Sequence, residues 1–360
     1  MHFLESLGWS SFFESQLNPE TDSAWTPARV AEEQRGQYTL LAIGNEWRAE
    51  LAGRLRHEAS TIGALRPAVG DWVLATLPGP RPEDGVARVE RVLDRRSKFS
   101  RKEAGNRSEE QVIAANIDTV FLVQSLNGDL NPRRLERYLT LLWESGAEPV
   151  VVLSKADLRP EREAAVSEIE AVAQGASVHA VSAVEANGLA PLARYLGPGK
   201  TAALVGSSGV GKSTILNTLL GEELMAVQGI RTDDRGRHTT TSRHLVPLPQ
   251  GGMLIDTPGM RTVILWEGEE GLERAFGDVE ALAAGCRFSD CTHQTEPGCA
   301  VQEALAAGRL DAARLRSYLK LGREAKRMAM KTDVRLREAE RRKWRRIHAE
   351  IRRRPDKRTT

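Results

Sequence analysis

The apolar run Ala202-Ala203-Leu204-Val205 empties into Gly206-Ser207-Ser208-Gly209-Val210-Gly211-Lys212-Ser213, the spacing of a glycine, four residues and Gly-Lys-Ser. That spacing suits phosphate chemistry. Glycines let the backbone turn tightly enough for successive N–H groups to point at phosphate oxygens, and a helix opening at Thr214 adds the positive potential of its N-terminus. Lys212 then bridges the terminal phosphates, and Ser213 ligates magnesium. A glycine-rich turn before an ordinary helix is the plain alternative. The strand ahead of the loop and the helical run from Thr214 to Leu220 favour the phosphate reading.

Two further strand ends carry matching chemistry. Val150 to Leu153 leads into Ser154-Lys155-Ala156-Asp157, which resembles the guanine-reading Asn-Lys-x-Asp element of GTPases. One carboxylate, Asp157, can accept both the N1–H and the exocyclic amine of guanine, whereas adenine reverses that polarity. The Lys155 stem would lie along the base, while Ser154 replaces the usual Asn and loses an amide contact. Val181-Ser182-Ala183 resembles the second guanine loop, whose backbone N–H meets the base O6. Met253-Leu254-Ile255 leads into Asp256-Thr257-Pro258-Gly259, where Asp256 would hold magnesium through water and the Gly259 N–H would bond the γ-phosphate. Between these elements, Gly236-Arg237-His238-Thr239-Thr240-Thr241 offers Thr240 to magnesium and the γ-phosphate. The place after the Asp-x-x-Gly glycine, where many GTPases keep a water-positioning glutamine, is Met260, which cannot hydrogen-bond. His238 is the best candidate for that catalytic role, with tying down its loop or meeting RNA as the alternative. Lys155 and Asp157 precede Gly206, so the elements run in circularly permuted order.

All three cysteines, Cys286, Cys291 and Cys299, fall in one window with His293 as C-x4-C-x-H-x5-C. Three thiolates and an imidazole supply a closed tetrahedral zinc site with no open position, which makes the metal structural. A secreted disulfide framework would not confine every cysteine in this way.

These residues need strands and helices to hold them. A chain of 360 residues, 41% hydrophobic and 28% charged, accommodates two or three domains and is that of a soluble globular protein. No apolar run reaches the roughly 20 residues of a membrane span, and the N-terminus lacks the features of a secretory signal. Cytoplasmic residence, no membrane partner and a monomer are expected. Residues 1–35 are assigned to an N-terminal extension, with one short amphipathic helix within residues 1–27. From Gln37 to Leu93, period-two runs such as Trp47, Ala49, Leu51 and turns at Gly44-Asn45 and Gly70-Asp71 predict a small OB-like β-barrel over 36–105. Arg95, Arg96, Lys98, Phe99, Arg101 and Lys102 give it a basic, aromatic exit of the kind RNA attracts, with a generic small β-domain and a solvated basic linker as the alternative. Alternating strands and helices over 106–275, with strands at Ile117–Val123 and Pro149–Leu153 and a helix at Pro132–Trp143, predict an α/β domain with a mainly parallel sheet. Residues 276–360 form a helical zinc-binding unit, with helices at Leu310–Leu321 and Asp333–Arg354. Net charge is +2, but residues 323–358 hold 16 Lys and Arg against 6 Asp and Glu. That tail suits an anionic partner, nucleic acid before a merely solvated helix face.

Permuted order, Gly-Arg-His-Thr-Thr-Thr, Asp-Thr-Pro-Gly and the C-x4-C-x-H-x5-C cluster together resemble the ribosome small-subunit-dependent GTPase A family of bacteria. The resemblance implies an OB-like barrel, a circularly permuted P-loop GTPase and a C-terminal zinc domain. It also implies GTP hydrolysis stimulated by the small ribosomal subunit late in assembly, with release after hydrolysis and the barrel and zinc unit facing rRNA. Ser154 and the long basic tail depart from the shared motifs. A nucleotide-switched RNA-binding protein with vestigial hydrolysis, or a permuted GTPase of the large subunit, are the alternatives.

Overall fold

The computed structural model describes residues 3–102, 110–127, 130–221, 244–256 and 269–332. The GTPase-like loop residues Thr239, Thr240, His238 and Gly259 and the basic tail beyond Thr332 lie outside the described residues.

Two one-turn helices, α1 (Phe3–Ser6) and α2 (Ser11–Glu14), open the chain where one amphipathic helix is expected. Gly8 separates them at φ +95°, and a Cβ there would meet the Gly199 carbonyl oxygen at 2.9 Å. The helix breaks because the backbone must pass that close to a neighbouring turn. Phe13 of α2 is fully buried and packs on Trp9 and Trp72.

A five-stranded barrel follows: β1 (Thr26–Gln34), β2 (Gln37–Ala42), β3 (Asn45–Leu51), β4 (Trp72–Thr76) and β5 (Ala87–Val92), with α3 (Gly53–Thr61) between β3 and β4. Its order is β1-β2-β3-β5-β4, and β4 pairs back onto β1 to close it. Alternate side chains, Leu40, Trp47, Ala49, Val73, Ala75 and Val89 among them, fill the interior. The first strand lies inside the stretch assigned to an extension, so the barrel begins at Thr26 instead of residue 36. Pro27 and the charged Arg29, Glu32 and Glu33 mask its period-two signal in the sequence.

The barrel ends at Val92, and its basic exit becomes a two-stranded ribbon of β6 (Lys98–Lys102) and β7 (Glu110–Ala115). This corrects the expected open RNA-binding exit in part. Arg95 is paired with buried Asp71 at 2.7 Å, Arg96 stacks over Phe13, and Phe99 is buried. Arg95 and Phe99 are consumed inside the fold by a desolvated carboxylate and an apolar core, whereas Arg96 stays exposed beside the Phe13 ring and Asp118.

The central sheet runs β10-β9-β8-β11-β13-β12, built from β8 (Thr119–Ser125), β9 (Glu148–Ser154), β10 (Ser177–Ala180), β11 (Thr201–Gly206), β12 (His244–Pro247) and β13 (Met253–Asp256). All pairs but β12–β13 are parallel. The near-continuous β-branched strands are covered on both faces, as parallel sheets require. Val120, Leu122, Val151 and Leu153 face α4 (Pro132–Glu144) and α5 (Glu163–Val172), while Phe121, Val123, Val150 and Val152 face α6 (Lys212–Leu220). Asn131 caps α4 by accepting from the Arg134 N–H at 3.0 Å, and Pro132 occupies the first turn.

Helices α7 (Glu269–Ala275), α8 (Gly277–Ala283), α9 (Ala300–Ala306) and α10 (Ala312–Thr332) complete the described chain and share the α4-side core through Leu272, Phe276, Val279, Val301 and Leu315. The last extends past Leu321, the expected end of that helix. Buried Arg314 of α10 reaches Glu136 of α4 at 2.9 Å and Asp278 of α8 at 2.6 Å, joining the C-terminal helices to the central domain. No described helix is long and apolar enough to cross a membrane.

Arg29 of β1 is 1% exposed. Its guanidinium donates to the carbonyls of Leu7, Gly70 and Asn116 and lies 5.6 Å from the Trp72 ring centroid. Burial brings its pKa down to about 10. Arg29→Met would leave three carbonyls without that donor at the meeting of the N-terminal turns, the barrel and the central sheet. We expect a loss of about 3 kcal/mol and a fall of about 5 °C or more in melting temperature. An unchanged thermal transition would show that the junction does not depend on this cation.

Candidate functional site

The phosphate loop joins β11 to α6 at the carboxyl edge of the sheet, where open α/β folds place ligands. Gly206 has φ +149°, and a Cβ there would come within 2.3 Å of the Val123 carbonyl oxygen. Only glycine fits. Gly209 and Gly211 turn the loop through φ +79° and +95°, and Val210 plugs it into the core at 1% exposure. Ser207 and Ser213 are half-buried and Ser208 and Thr214 exposed, so the loop and first helical turn face outward. Lys212 Nζ donates to the Gly206 carbonyl at 2.8 Å and to that of Ser207 at 2.5 Å, folded over the loop it belongs to.

The loop after β9 closes against it. Lys155 takes a left-handed backbone, φ +58°, and its Nζ donates to the Gly209 carbonyl at 2.8 Å. Ser154 is 3% exposed; its hydroxyl donates to the Val210 carbonyl and lies 3.2 Å from that of Gln124. The residue standing where an Asn is usual is therefore a strut between the two loops. The Ala156 N–H reaches the Val181 carbonyl at 3.1 Å, and Asp157 Oδ1 accepts from the Ser182 hydroxyl at 2.8 Å. Thr218 of α6 donates to the Ala183 carbonyl at 3.1 Å. Thus Ser154 to Asp157, Ser182, Ala183 and the stretch from Gly206 to Thr214 meet in one cleft. Asp256 ends β13 beside β11, one strand from the phosphate loop. Sequence reasoning missed Gln124 and Thr218, which brace the loops through Ser154 and Ala183; nothing in their spacing marks them.

The cysteine cluster assembles. The ligand atoms of Cys286, Cys291, His293 and Cys299 all lie within 4.8 Å of one another. Cys286 Sγ is 3.8 Å from Cys299 Sγ, and both lie 3.6 Å from His293 Nδ1. A tetrahedron with bonds of about 2.3 Å to sulfur and 2.05 Å to nitrogen has edges of about 3.8 and 3.6 Å, so the donor set fits a four-coordinate metal. Burial would raise the Cys286 thiol, but the Val301 and Ala300 amides at the start of α9 and the neighbouring sulfurs bring it below its ordinary value.

Glu296, also missed from sequence, holds the loop that carries His293, whose φ is +57°. Its carboxylate accepts from the Thr292 hydroxyl and from the N–H groups of Thr292, Gln294 and Thr295 at 3.0, 3.0 and 3.1 Å. The Thr292 hydroxyl first, then the amides of Gln294, Glu296 and Thr292, hold its pKa down to about 2. A depressed carboxylate contributes above its unfolded pKa and is lost as pH falls through the folded one, here between roughly pH 4.5 and 2.

Fold and cleft together define a circularly permuted P-loop GTPase. Residues 92–266 match the family model for the RsgA GTPase. The "Small ribosomal subunit biogenesis GTPase RsgA" of Opitutus terrae is 47% identical over 96% of both chains, and that of Syntrophotalea carbinolica 44% over 96% of this chain and 99% of its own. The crystal structure of YjeQ from Thermotoga maritima superposes with a TM-score of 0.61 at 27% identity, covering 84% of this chain and 98% of that one. The chain belongs to the RsgA GTPase family.

The metal cluster and the nucleotide cleft share no side chain. Cys291→Ala or chelation is therefore expected to open the segment between Cys286 and Cys299 to protease while nucleotide affinity stays within about twofold. An unchanged digestion pattern after metal removal would count against a structural metal.

Proposed function

We propose that this protein hydrolyses GTP in the biogenesis of the small ribosomal subunit, with its turnover stimulated by that subunit and its departure following hydrolysis. The observation that carries the reading is the clasp of the two loops: Lys155 on Gly209 and Ser154 on Val210 build a cleft for base and phosphates at once. Near-full-length similarity to relatives bearing that name supports the partner.

In this reading the amides from Gly206 to Gly211 cradle the phosphates and Lys212 neutralises charge on the transferred group. Magnesium, held by Ser213, Thr240 and Asp256, supplies further charge neutralisation when bound. The Gly259 N–H orients the γ-phosphate. Asp157 reads the guanine edge, braced by the Ser182 hydroxyl; Lys155 covers the base, and the Ala183 N–H meets O6. His238 orients the attacking water, since Met260 cannot. Zinc suits the cysteine cluster because three thiolates and an imidazole at tetrahedral spacing leave no position for a substrate, so it holds the fold instead of doing chemistry.

Single-turnover phosphate release with small or large subunits tests this. Small subunits should accelerate it by the roughly hundredfold that ordering a catalytic group contributes. Acceleration by large subunits alone, or none, would overturn the assignment. On the same protein, Asp157→Asn should weaken GTP by about a hundredfold and favour xanthosine triphosphate, because two charge-assisted hydrogen bonds are lost to guanine. Retained GTP preference would remove Asp157 from the base site.

A further inference from the structure

Ser154 ends β9 at 3% exposure, beneath the phosphate loop, where a Cβ added to Gly211 would stand 3.7 Å from its hydroxyl oxygen. A serine hydroxyl carries one proton. Two carbonyls converge on it: that of Val210, which accepts its hydrogen bond, and that of Gln124 at 3.2 Å. The asparagine usual at this place has two amide N–H groups, so one can hold the loop while the other remains for a ligand. Serine has no donor left once the loop is held.

The donors around it are engaged as well. The Ala156 N–H ends on the Val181 carbonyl, Lys155 Nζ on the Gly209 carbonyl, the Ser182 hydroxyl on Asp157, and the Ser182 N–H on the Gly188 carbonyl at 3.4 Å. Guanine needs two kinds of partner: acceptors for its N1–H and exocyclic amine, and donors for O6 and N7. In the binding mode proposed above, Asp157 meets the first pair and the Ala183 N–H meets O6. N7 is the polar atom for which none of the engaged groups keeps a proton.

We propose that this protein selects guanine without a hydrogen bond to N7, and that Ser154 makes its cleft tolerant of guanine nucleotides altered at ring position 7, the 7-deazaguanine class. An N7 that leaves water for no partner gains nothing from being nitrogen, so carbon in its place is accepted. An asparagine at position 154 reverses this, because its second N–H is left facing a C–H when the nitrogen is gone. The inference rests on the guanine-binding reading of the cleft.

The test displaces a ribose-labelled fluorescent GDP from the full chain, in magnesium, with GDP, 7-deazaguanosine 5′-diphosphate or ADP. The unaltered protein should bind the 7-deaza compound within about threefold of GDP, since a neutral hydrogen bond to N7 would be worth up to about tenfold. Ser154→Asn should prefer GDP over the 7-deaza compound by about tenfold. Ser154→Ala, which loses the contact to the loop and gains no donor, should weaken both by the same factor. A preference for GDP above about threefold in the unaltered protein, or an asparagine variant as indifferent as the unaltered protein, would overturn the proposal. The comparison in the unaltered protein decides whether N7 is read even if neither variant folds. ADP keeps the two readings apart: if it competes as well as GDP, the guanine reading itself falls. If ADP is excluded and the 7-deaza compound is rejected with it, only the present inference falls.

Discussion

The guanidinium of Arg29 is satisfied by three backbone carbonyls drawn from segments far apart in sequence: the turn after α1, the approach to β4 and the entry to β8. A buried cation of this kind tolerates little displacement, because each carbonyl that moves away leaves a desolvated donor behind. Asn116, at φ +54°, is fixed from the other side, its amide donating to the Gly70 carbonyl and accepting from the Arg96 N–H. Barrel, N-terminal turns and central sheet thus meet at one polar point inside an apolar surround. The position of the phosphate loop relative to the barrel follows from it.

Beyond that point the two units share hydrogen bonding as well as packing. Strand β1 touches β12 at Glu32 and His244, and β12 pairs along its length with β13, the strand that ends at Asp256. The C-terminal helices are fastened to the other side of the central domain through Arg314 and Glu136. The strand that ends at Asp256 is therefore one strand from the barrel contact, while β9 and β10, which lead into Asp157 and Ser182, lie on the side of the sheet remote from it.

Legibility in the sequence followed the range of the interactions. The phosphate loop, the central strands and α4 were readable because their signals are local: glycine spacing, β-branched runs and a capped amphipathic helix. The cysteine cluster was readable because thiolates and an imidazole at short spacing have few other uses. The first barrel strand was not, since Arg29 and Glu32 meet their partners, three carbonyls and His244, only in distant segments. Nor was the fate of Arg95, Arg96 and Phe99. Composition made them a nucleic-acid surface, whereas Asp71, distant in the chain, takes up Arg95, the core takes up Phe99, and Arg96 alone stays exposed, against the Phe13 ring. Ser154 was legible as a departure from the Asn pattern, but its hydroxyl's role as a strut depends on where Val210 lies.

Permuted strand order also sets the order in which the sheet can be made. During synthesis β8, β9 and β10 emerge first and can pair with one another, but the other edge of β8 belongs to β11, whose residues follow later. At about 5–20 residues per second, the stretch between Ala180 and Gly206 takes roughly one to five seconds to appear. For that interval Val120, Phe121, Leu122 and Val123 present an unpaired apolar edge, the geometry most open to pairing with a foreign strand. A nascent chain of this topology has its greatest exposure to aggregation before the phosphate loop exists, and the arrival of β11 ends it.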